Sequence, residues 1–217
     1  FPISNQRNIC ILVGNDAGGI VSALKDVKNV AILELVEVSR IFALTSKAID
    51  FQHEKYEQRI TTDPVTEISK ILQNEQATNV LLLFSGDASV MLPLDHGLHD
   101  VLLNQVKSGV AMPISKEIIV LADMCQSGCF LGFSRISVNS TVSKNAIYCI
   151  TACDVNEMDQ DDISDMGFDG GLTSDFIDYL KLNNNILEIF EFYKFRETRN
   201  LAKDPPIHSI FSCQMLP

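Results

Sequence analysis

The sequence predicts an α/β protein with a doubly wound, mostly parallel central sheet and helices on both of its faces. Short apolar runs without polar interruption are typical of parallel strands that are covered on both sides. Segments with apolar residues at helical spacing lie between these runs, and this alternation favours right-handed crossovers. The predicted strands are residues 9–13, 80–84, 118–122 and 146–150, with residues 40–44 as a weaker fifth strand.

The segments between the strands predict five helices and two surface loops. One helix begins at Asp63-Pro64, which supplies a capping side chain and then a proline at the first helical position. Two stretches rich in polar residues and glycine, 128–144 and 154–171, predict loops. The predicted helices are residues 21–38, 64–76, 98–106, 172–182 and 186–199.

Composition limits the classes of function that the chain can serve. With 217 residues, of which 46% are hydrophobic and 21% charged, the chain is typical of a globular protein. Its net charge of −11 argues against nucleic acid and anionic membranes as partners. The same charge suits a protein or peptide partner with basic residues. No apolar run approaches the roughly 18 residues that a membrane span needs.

The cysteines indicate a reducing compartment. Cys10 and Cys149 lie inside predicted strands, where we expect buried free thiols. The six cysteines together do not resemble a disulfide framework. We therefore expect a cytoplasmic protein, although a signal peptide could precede Phe1 in a longer chain.

The most informative segment follows the predicted strand 118–122. Residues 123–128 (Asp-Met-Cys-Gln-Ser-Gly) place Cys125 in a glycine-containing loop directly after a buried strand, where a thiol can act as a nucleophile. Strand 80–84 is likewise followed by a polar loop, residues 85–88 (Ser-Gly-Asp-Ala). Because ligands bind at the carboxyl ends of strands in such sheets, we expect Cys125 and Asp87 to lie at one site.

The order of these segments resembles the caspase, metacaspase and paracaspase group of cysteine peptidases. Residues 80–88 resemble the strand that ends in the family's Ser-Gly-His-Gly motif. Residues 90–95 resemble the hydrophobic-Pro-hydrophobic-Asp segment that often follows it, and residues 123–128 resemble the Asp-x-Cys nucleophile motif. Residues 148–154 resemble the substrate-binding strand.

The resemblance implies one caspase-like domain over residues 1–217. Within it, residues 1–130 would form a large-subunit-like part and residues 146–217 a small-subunit-like part, joined by a possible linker at 131–145.

The resemblance also implies roles for single residues. Cys125 takes the position of the nucleophile, and Asp123 that of an acid in a pocket for a basic P1 residue. Asp154 lies where a second pocket acid could fall. Asp87 stands where the family has its dyad histidine, and Ala88 stands where the family has glycine.

The replacement at Asp87 has chemical consequences. A cysteine peptidase needs a thiolate to attack and an acid to protonate the leaving amine, and one histidine can serve both needs. Aspartate has a reference pKa of about 3.9, so it is ionised at pH 7 and holds no proton to donate. A carboxylate close to a thiol also disfavours the thiolate. The sequence therefore predicts a catalytically impaired homologue, a pseudopeptidase that acts by binding a partner or a basic peptide.

Two alternatives remain open. An active cysteine endopeptidase with a basic P1 preference could combine Cys125 with a non-standard histidine, either His96 or His99. The resemblance places His53 and His208 away from the site. A thiol redox sensor could instead use Cys129 to resolve an oxidised Cys125.

We predict no resident metal or other cofactor, with calcium as the alternative. The Cys-x-x-x-Cys pairs at 125/129 and 149/153 supply four thiols, but Cys149 lies inside a strand, which disfavours a zinc site. The acidic loop offers Asp159, Asp161 and Asp162 as hard oxygen ligands for calcium, without the spacing of an EF-hand.

Overall fold

The computed structural model describes most of the chain in segments. The predicted helix 21–38 lies outside the described residues except for Val38, which begins a strand. The described residues are 8–14, 38–46, 48, 56–75, 77, 79–86, 88–107, 117–135, 146–157, 162–164, 167–169, 171–183, 188–202 and 206–215.

These residues form one eight-stranded sheet and a separate antiparallel pair of short strands. The sheet contains β1 (Asn8–Gly14), β2 (Val38–Thr45), β3 (Tyr56–Ile60), β4 (Asn79–Ser85), β5 (Glu117–Asp123), β6 (Ser134–Arg135), β7 (Ala146–Thr151) and β10 (Phe211–Met215). The separate pair is β8 (Asp162–Ser164) with β9 (Gly167–Asp169).

The strand order in the sheet is β3-β2-β1-β4-β5-β7-β10-β6. The strands from β3 to β7 in this order are mutually parallel, whereas β10 runs antiparallel to both of its neighbours. The five predicted strands are confirmed, within one or two residues at each end. Their runs of apolar residues are buried on both sides, as expected for central parallel strands.

Within the described ranges, five α-helices lie between or after the strands. They are α1 (Pro64–Asn74), α2 (Ala88–Met91), α3 (Asp95–Lys107), α4 (Gly171–Leu182) and α5 (Ile189–Leu201). The Asp63 side chain accepts a hydrogen bond from the backbone N–H of Thr66 at 3.1 Å, which confirms the predicted cap of α1. None of the helices within the described ranges is both long and apolar enough to cross a membrane.

The helices cover both faces of the sheet. On one face, Ile68 of α1 and Leu98 of α3 belong to the same buried cluster as Val80 of β4. On the other face, Phe176 of α4 and Phe192 of α5 pack in a cluster with the opposite side chains of the same strands. The prediction of an α/β sheet with helices on both faces is therefore confirmed.

The two predicted surface loops contain more structure than expected. The first includes a 3-10 segment, Ser127–Gly132, and strand β6, while the second includes the pair β8 and β9. Strands β3 and β10 were also not predicted. β10 alternates apolar and polar residues over only five positions, and β3 has three polar residues between Tyr56 and Ile60, so neither pattern can be distinguished from a loop.

Candidate functional site

The register of β4 and β5 brings the two predicted site loops together. Ser85 of β4 is the register partner of Asp123 of β5. The segments that follow these two parallel strands therefore leave the sheet at the same level. The backbone N–H of Gly86 then donates to the carbonyl of Asp123 at 3.3 Å, and Gly86 has a φ of 143°, which favours glycine. Asp87 itself lies outside the described residues, so the position of its carboxylate stays a prediction.

The thiol of Cys125 lies at a sharp turn of the chain. Cys125 is partly exposed, between the buried Met124 and the exposed Gln126. Gln126 has a φ of +57°, a left-handed conformation that is uncommon for residues other than glycine. Such conformations concentrate at functional sites, where surrounding contacts maintain them.

Ser127 is one of the contacts that hold this turn. Its fully buried hydroxyl accepts hydrogen bonds from the backbone N–H groups of Ala152 at 3.1 Å and Cys153 at 3.4 Å. These two residues follow β7, the strand beside β5. Ser127 therefore joins residues 124–128, which we call the thiol loop, to the end of β7.

Gly128 packs directly on the same neighbouring segment. A Cβ atom at Gly128 would lie 2.6 Å from the nitrogen of Val155 and 2.8 Å from the Cα of Asp154. Because these are backbone atoms, they cannot move aside as a flexible side chain would. The glycine of the predicted nucleophile motif is thus required by close packing of two loops.

Glu157 forms a hydrogen bond with the thiol loop and also contacts a histidine. Its carbonyl accepts a hydrogen bond from the N–H of Gln126 at 3.0 Å. Its carboxylate accepts a hydrogen bond from the backbone N–H of His208 at 2.8 Å. The same carboxylate lies 2.7 Å from the ring nitrogen Nδ1 of His208. His208, which we expected away from the site, is therefore linked to the Cys125 loop through one residue.

The contact between Glu157 and His208 alters both of their pKa values. Its hydrogen bond and charge raise the pKa of His208, against a smaller opposing effect of burial. Burial would raise the pKa of Glu157, but the hydrogen bonds from His208 lower it.

Asp123 is a buried carboxylate with one oxygen that accepts hydrogen bonds and one buried oxygen without a partner among the described residues. The residue is 3% exposed. Its Oδ2 accepts hydrogen bonds from the backbone N–H of Thr173, at 2.8 Å, and from the Thr173 hydroxyl. Thr173 lies in the first turn of α4, where N–H groups lack helical partners. Its Oδ1 has no hydrogen-bond partner within the part of the chain that the structure describes.

Asp154, the predicted second pocket acid, lies beside the thiol loop. Its backbone contacts Gly128, and its own N–H donates to the Glu157 carboxylate at 3.0 Å. Its carboxylate accepts from the N–H of Val155 at 2.6 Å.

The two predicted alternative bases lie on α3. His96 is exposed, and the ring of His99 lies 5.6 Å from that of Phe133, with its Nδ1 3.5 Å from the carboxylate of Asp100. A strand from Asp87 to His96 would cover about 30 Å. From Ala88 the chain passes through α2, a 3-10 segment at Leu92–Leu94 and the start of α3, so the eight steps from Ala88 to His96 span roughly 12 Å instead.

Asp95 has a positioning role that we did not predict. Its Oδ1 accepts a hydrogen bond of 2.6 Å from the N–H of Leu131, which has a φ of +65°. Leu131 belongs to the 3-10 segment that follows Cys125. Asp95 thereby ties the segment after Asp87 to the segment after Cys125.

A buried arginine contacts the residue that follows β7. Arg196 of α5 is fully buried and forms an ion pair with Asp175 of α4. It also donates to the Ser209 hydroxyl and to the carbonyl of Ala152, each at 2.9 Å. Ala152 is the residue whose N–H is held by Ser127. An arginine on an amphipathic helix offers no local signal that it will be buried.

The six cysteines are not joined by disulfide bonds. Cys10 and Cys149 are fully buried as predicted, and burial raises the pKa of each to about 12. Cys129 is exposed, with its sulfur 3.9 Å from the carbonyl oxygen of Gln126. Both Cys125 and Cys129 are thus accessible on one loop.

No group of three or more His, Cys, Asp or Glu side chains within the described ranges is arranged to hold a metal ion. Of the three calcium candidates, Asp159 and Asp161 lie outside the described residues, and Asp162 begins β8. Calcium binding by this loop stays a prediction.

Comparison with known proteins gives no family. No protein-family model matches the sequence, and no curated protein matches it. The arrangement of Cys125, Asp123 and the loops that hold them must therefore be interpreted from its own chemistry.

Proposed function

We propose that this chain is a caspase-like cysteine-peptidase homologue that binds a basic residue of a protein or peptide partner without cleaving it efficiently. The observation that carries the proposal is Asp123 Oδ1, a buried carboxylate oxygen without a hydrogen-bond partner among the described residues, two positions before the partly exposed Cys125. The proposed partner is a cytoplasmic protein, or a peptide of one.

The order of the strands supports the likeness to caspases. The strand that carries the Asp-x-Cys segment lies between two others, β4 on one side and β7 on the other. In the resemblance, β4 leads to the position of the dyad histidine and β7 is the substrate-binding strand. A thiol, its partner loop and a peptide-binding strand would therefore be neighbours, as a peptidase site requires.

Electrostatics favour a basic ligand at Asp123. An unpaired buried polar atom is costly, and a charged one is costlier still. A guanidinium or ammonium group would donate to Oδ1 while Thr173 continues to hold Oδ2. The overall charge of −11 would attract such a ligand.

Weak or absent hydrolysis follows from Asp87. A carboxylate at the dyad position supplies no proton to a leaving amine and repels a developing thiolate. Positioned acid–base catalysis contributes roughly 10²–10⁴-fold, and this contribution would be lost. Binding through Asp123 does not depend on it.

Binding and turnover can be measured on the same protein. An arginine-containing peptide should bind, and the same peptide with citrulline in place of arginine should bind more than about tenfold more weakly, since hydrogen bonds to charged groups are the stronger ones. Asp123→Asn should abolish this preference, whereas Asp100→Asn, an exposed acid on α3, should retain it. Equal binding of the two peptides by the unmodified protein would contradict the proposal.

The alternatives predict different results in the same assays. An active endopeptidase would hydrolyse reporter peptides with arginine or lysine at P1, and would lose this activity in Cys125→Ala and in His96→Ala or His99→Ala. The helical chain between Ala88 and His96, which is shorter than a strand with the same number of residues, is the observation that favours this alternative. A redox sensor would form a disulfide between Cys125 and Cys129 under mild oxidation, which mass spectrometry would detect.

A further inference from the structure

We propose that the cavity at the carboxyl ends of β1, β2 and β3 binds a small uncharged molecule with an apolar body and a hydrogen-bond-accepting group. The cavity has a volume of about 240 Å³. We call it the β1–β3 cavity; its walls include Gly14, Leu44, Thr45, Thr61, Met91 and Leu94.

The position of this cavity in the sheet is that of a ligand site. From β1 the chain proceeds to β2 and β3 on one side, and later places β4 on the other side of β1. The point at which a parallel sheet changes direction in this way leaves a crevice outside the carboxyl ends of its strands, and ligands of α/β proteins bind there.

The walls divide into an apolar interior and a hydroxyl-bearing rim. Leu44 and Met91 are at most 1% exposed, and together with Leu94 they present hydrocarbon or thioether surface. Ser46 and Thr62 are exposed at the opening. A ligand would therefore place its apolar body inward and its polar group at the rim.

The ligand should carry no net charge. The lining residues are apolar or hydroxyl-bearing, with no charged side chain among those that the structure describes around the cavity. Taking an ion out of water without a counter-charge is strongly unfavourable. This separates the β1–β3 cavity from Asp123, which requires a cation.

The rim favours a ligand that accepts hydrogen bonds. The Thr61 hydroxyl already accepts one from the N–H of Asp63 at 3.0 Å. A hydroxyl has one hydrogen to donate, so Thr61 can offer it to a carbonyl or amide oxygen while still accepting from Asp63. Thr62 and Ser46 add two further hydroxyls at the same opening.

The volume sets the size of the ligand. A dry cavity of about 150 Å³ holds benzene, so one of the present size holds roughly ten non-hydrogen atoms. Benzamide is an uncharged probe of this size, with a ring for the interior and an amide oxygen for the rim.

An NMR titration of the whole chain with methyl-labelled methionine tests the proposal. Benzamide should shift the Met91 methyl signal saturably. Benzoate and benzamidinium, which have the same shape but opposite charges, should bind at this position at least about tenfold more weakly. Cumene, which has the same size without an acceptor, should bind about fivefold more weakly than benzamide. No shift at Met91 with benzamide, or equal affinity for benzoate, would overturn the proposal.

Variants of the rim locate the binding. Thr62→Phe should close the opening and abolish the benzamide shift, and Ser46→Phe should do so from the other side if Thr62→Phe does not fold. Thr66→Phe is the matched control, because Thr66 is exposed on α1 but does not line the cavity. Benzamide binding that persists in both rim variants would refute the site. Binding of the arginine-containing peptide to the unmodified protein and to Asp123→Asn reports on the proposed function separately, so either proposal can fail without the other.

Discussion

Ser85 and Asp123 are paired directly across β4 and β5. Cys125 lies two residues beyond Asp123, and Asp87 lies two residues beyond Ser85. Because parallel neighbours are only about 4.8 Å apart, the two loops leave the sheet side by side. We therefore expect the residue at position 87, which lies outside the described residues, to affect the chemical character of the thiol.

The first prediction concerns the reactivity of this thiol. Asp87→Asn removes a negative charge with little change of shape, so the thiolate of Cys125 should become easier to form. Alkylation of Cys125 by iodoacetamide at pH 7, followed by mass spectrometry, should be slow in the unmodified protein and several-fold faster in the variant. Asp100→Asn on α3 is the control for a general change of surface charge. An unchanged rate in Asp87→Asn would mean that the carboxylate does not act on the thiol.

A second prediction tests whether the rest of a peptidase site is intact. The double change Asp87→His and Ala88→Gly restores both residues that the resemblance implies at these positions. We expect hydrolysis of arginine-P1 reporter peptides to rise by roughly 10²-fold or more, the usual contribution of a positioned base. Adding Cys125→Ala to the double variant must remove the gain. A failure to gain activity, with binding of the arginine peptide retained, would show that the loops are not positioned for catalysis.

A third prediction follows from the packing of Gly128. Gly128→Ala forces a Cβ into backbone atoms of Asp154 and Val155 and should lower the free energy of unfolding by about 2 kcal/mol, as overpacking does. Chemical denaturation would measure this. Gly97→Ala is the matched control, since its Cβ would meet only a Val65 methyl at 3.2 Å. Equal stability of the two variants would argue against the close contact.

A fourth prediction concerns the buried cation Arg196. Arg196→Met removes its charge and leaves Asp175 with only Arg199, and the carbonyl of Ala152 with only the Ser209 hydroxyl. Loss of one partner of a buried pair should cost about 3 kcal/mol or more. The control is Arg199→Met, because Arg199 is largely exposed and also contacts Asp175 and Asp178. Denaturation midpoints that fall equally in both variants would be evidence against the buried network.

The fifth prediction is a pH dependence of stability from His208 and Glu157. The pKa of His208 is raised, so its contribution is present in full below the ordinary histidine value and is lost as the pH rises through the raised one. The pKa of Glu157 is lowered, so its contribution is lost as the pH falls through that lowered value. The pair thus stabilises the fold mainly at mildly acidic pH.

His208→Gln measures this contribution. The difference in melting temperature between the unmodified protein and His208→Gln should be largest at mildly acidic pH, below the reference histidine pKa of about 6.5, and should shrink as the pH rises through the pKa of His208, which Glu157 raises. Because the histidine is more than half exposed, the effect should be modest and should weaken in high salt. His96→Gln, on the exposed face of α3, should show no such trend. A difference that is independent of pH would exclude the ion pair as its source.

The central strands could be predicted because their signal is local. Uninterrupted apolar runs such as residues 80–84 and 118–122 have no stable alternative to burial in a covered sheet. The cap at Asp63-Pro64 is also local, since the donor, the acceptor and the proline lie within one helical turn. The position of Cys125 after its strand followed from the same kind of pattern.

Other features became visible only in three dimensions. Asp123 and Thr173 are far apart on the chain, as are Ala152 and Arg196, and no local pattern marks either pair. β3 and β10 are strands because they pair with β2 and β7, which come from other parts of the sequence. Arg196 is likewise buried against residues such as Asp175 that lie elsewhere in the sequence. His208 reaches the site because β10 runs antiparallel to β7, which brings the segment before β10 to the carboxyl edge of the parallel strands.

The amino-acid sequence by itself determined that the chain forms a covered α/β sheet, that a thiol follows one central strand, and that a carboxylate follows the neighbouring one. These properties depend on residue type and on order along the chain. Only the tertiary structure decided that one buried oxygen of Asp123 has no hydrogen-bond partner among the described residues, that Gly128 must remain glycine, and that a cavity opens beside β1. These properties depend on the register of strands and on contacts between distant segments, because a pocket exists only where separate parts of the chain leave space between them.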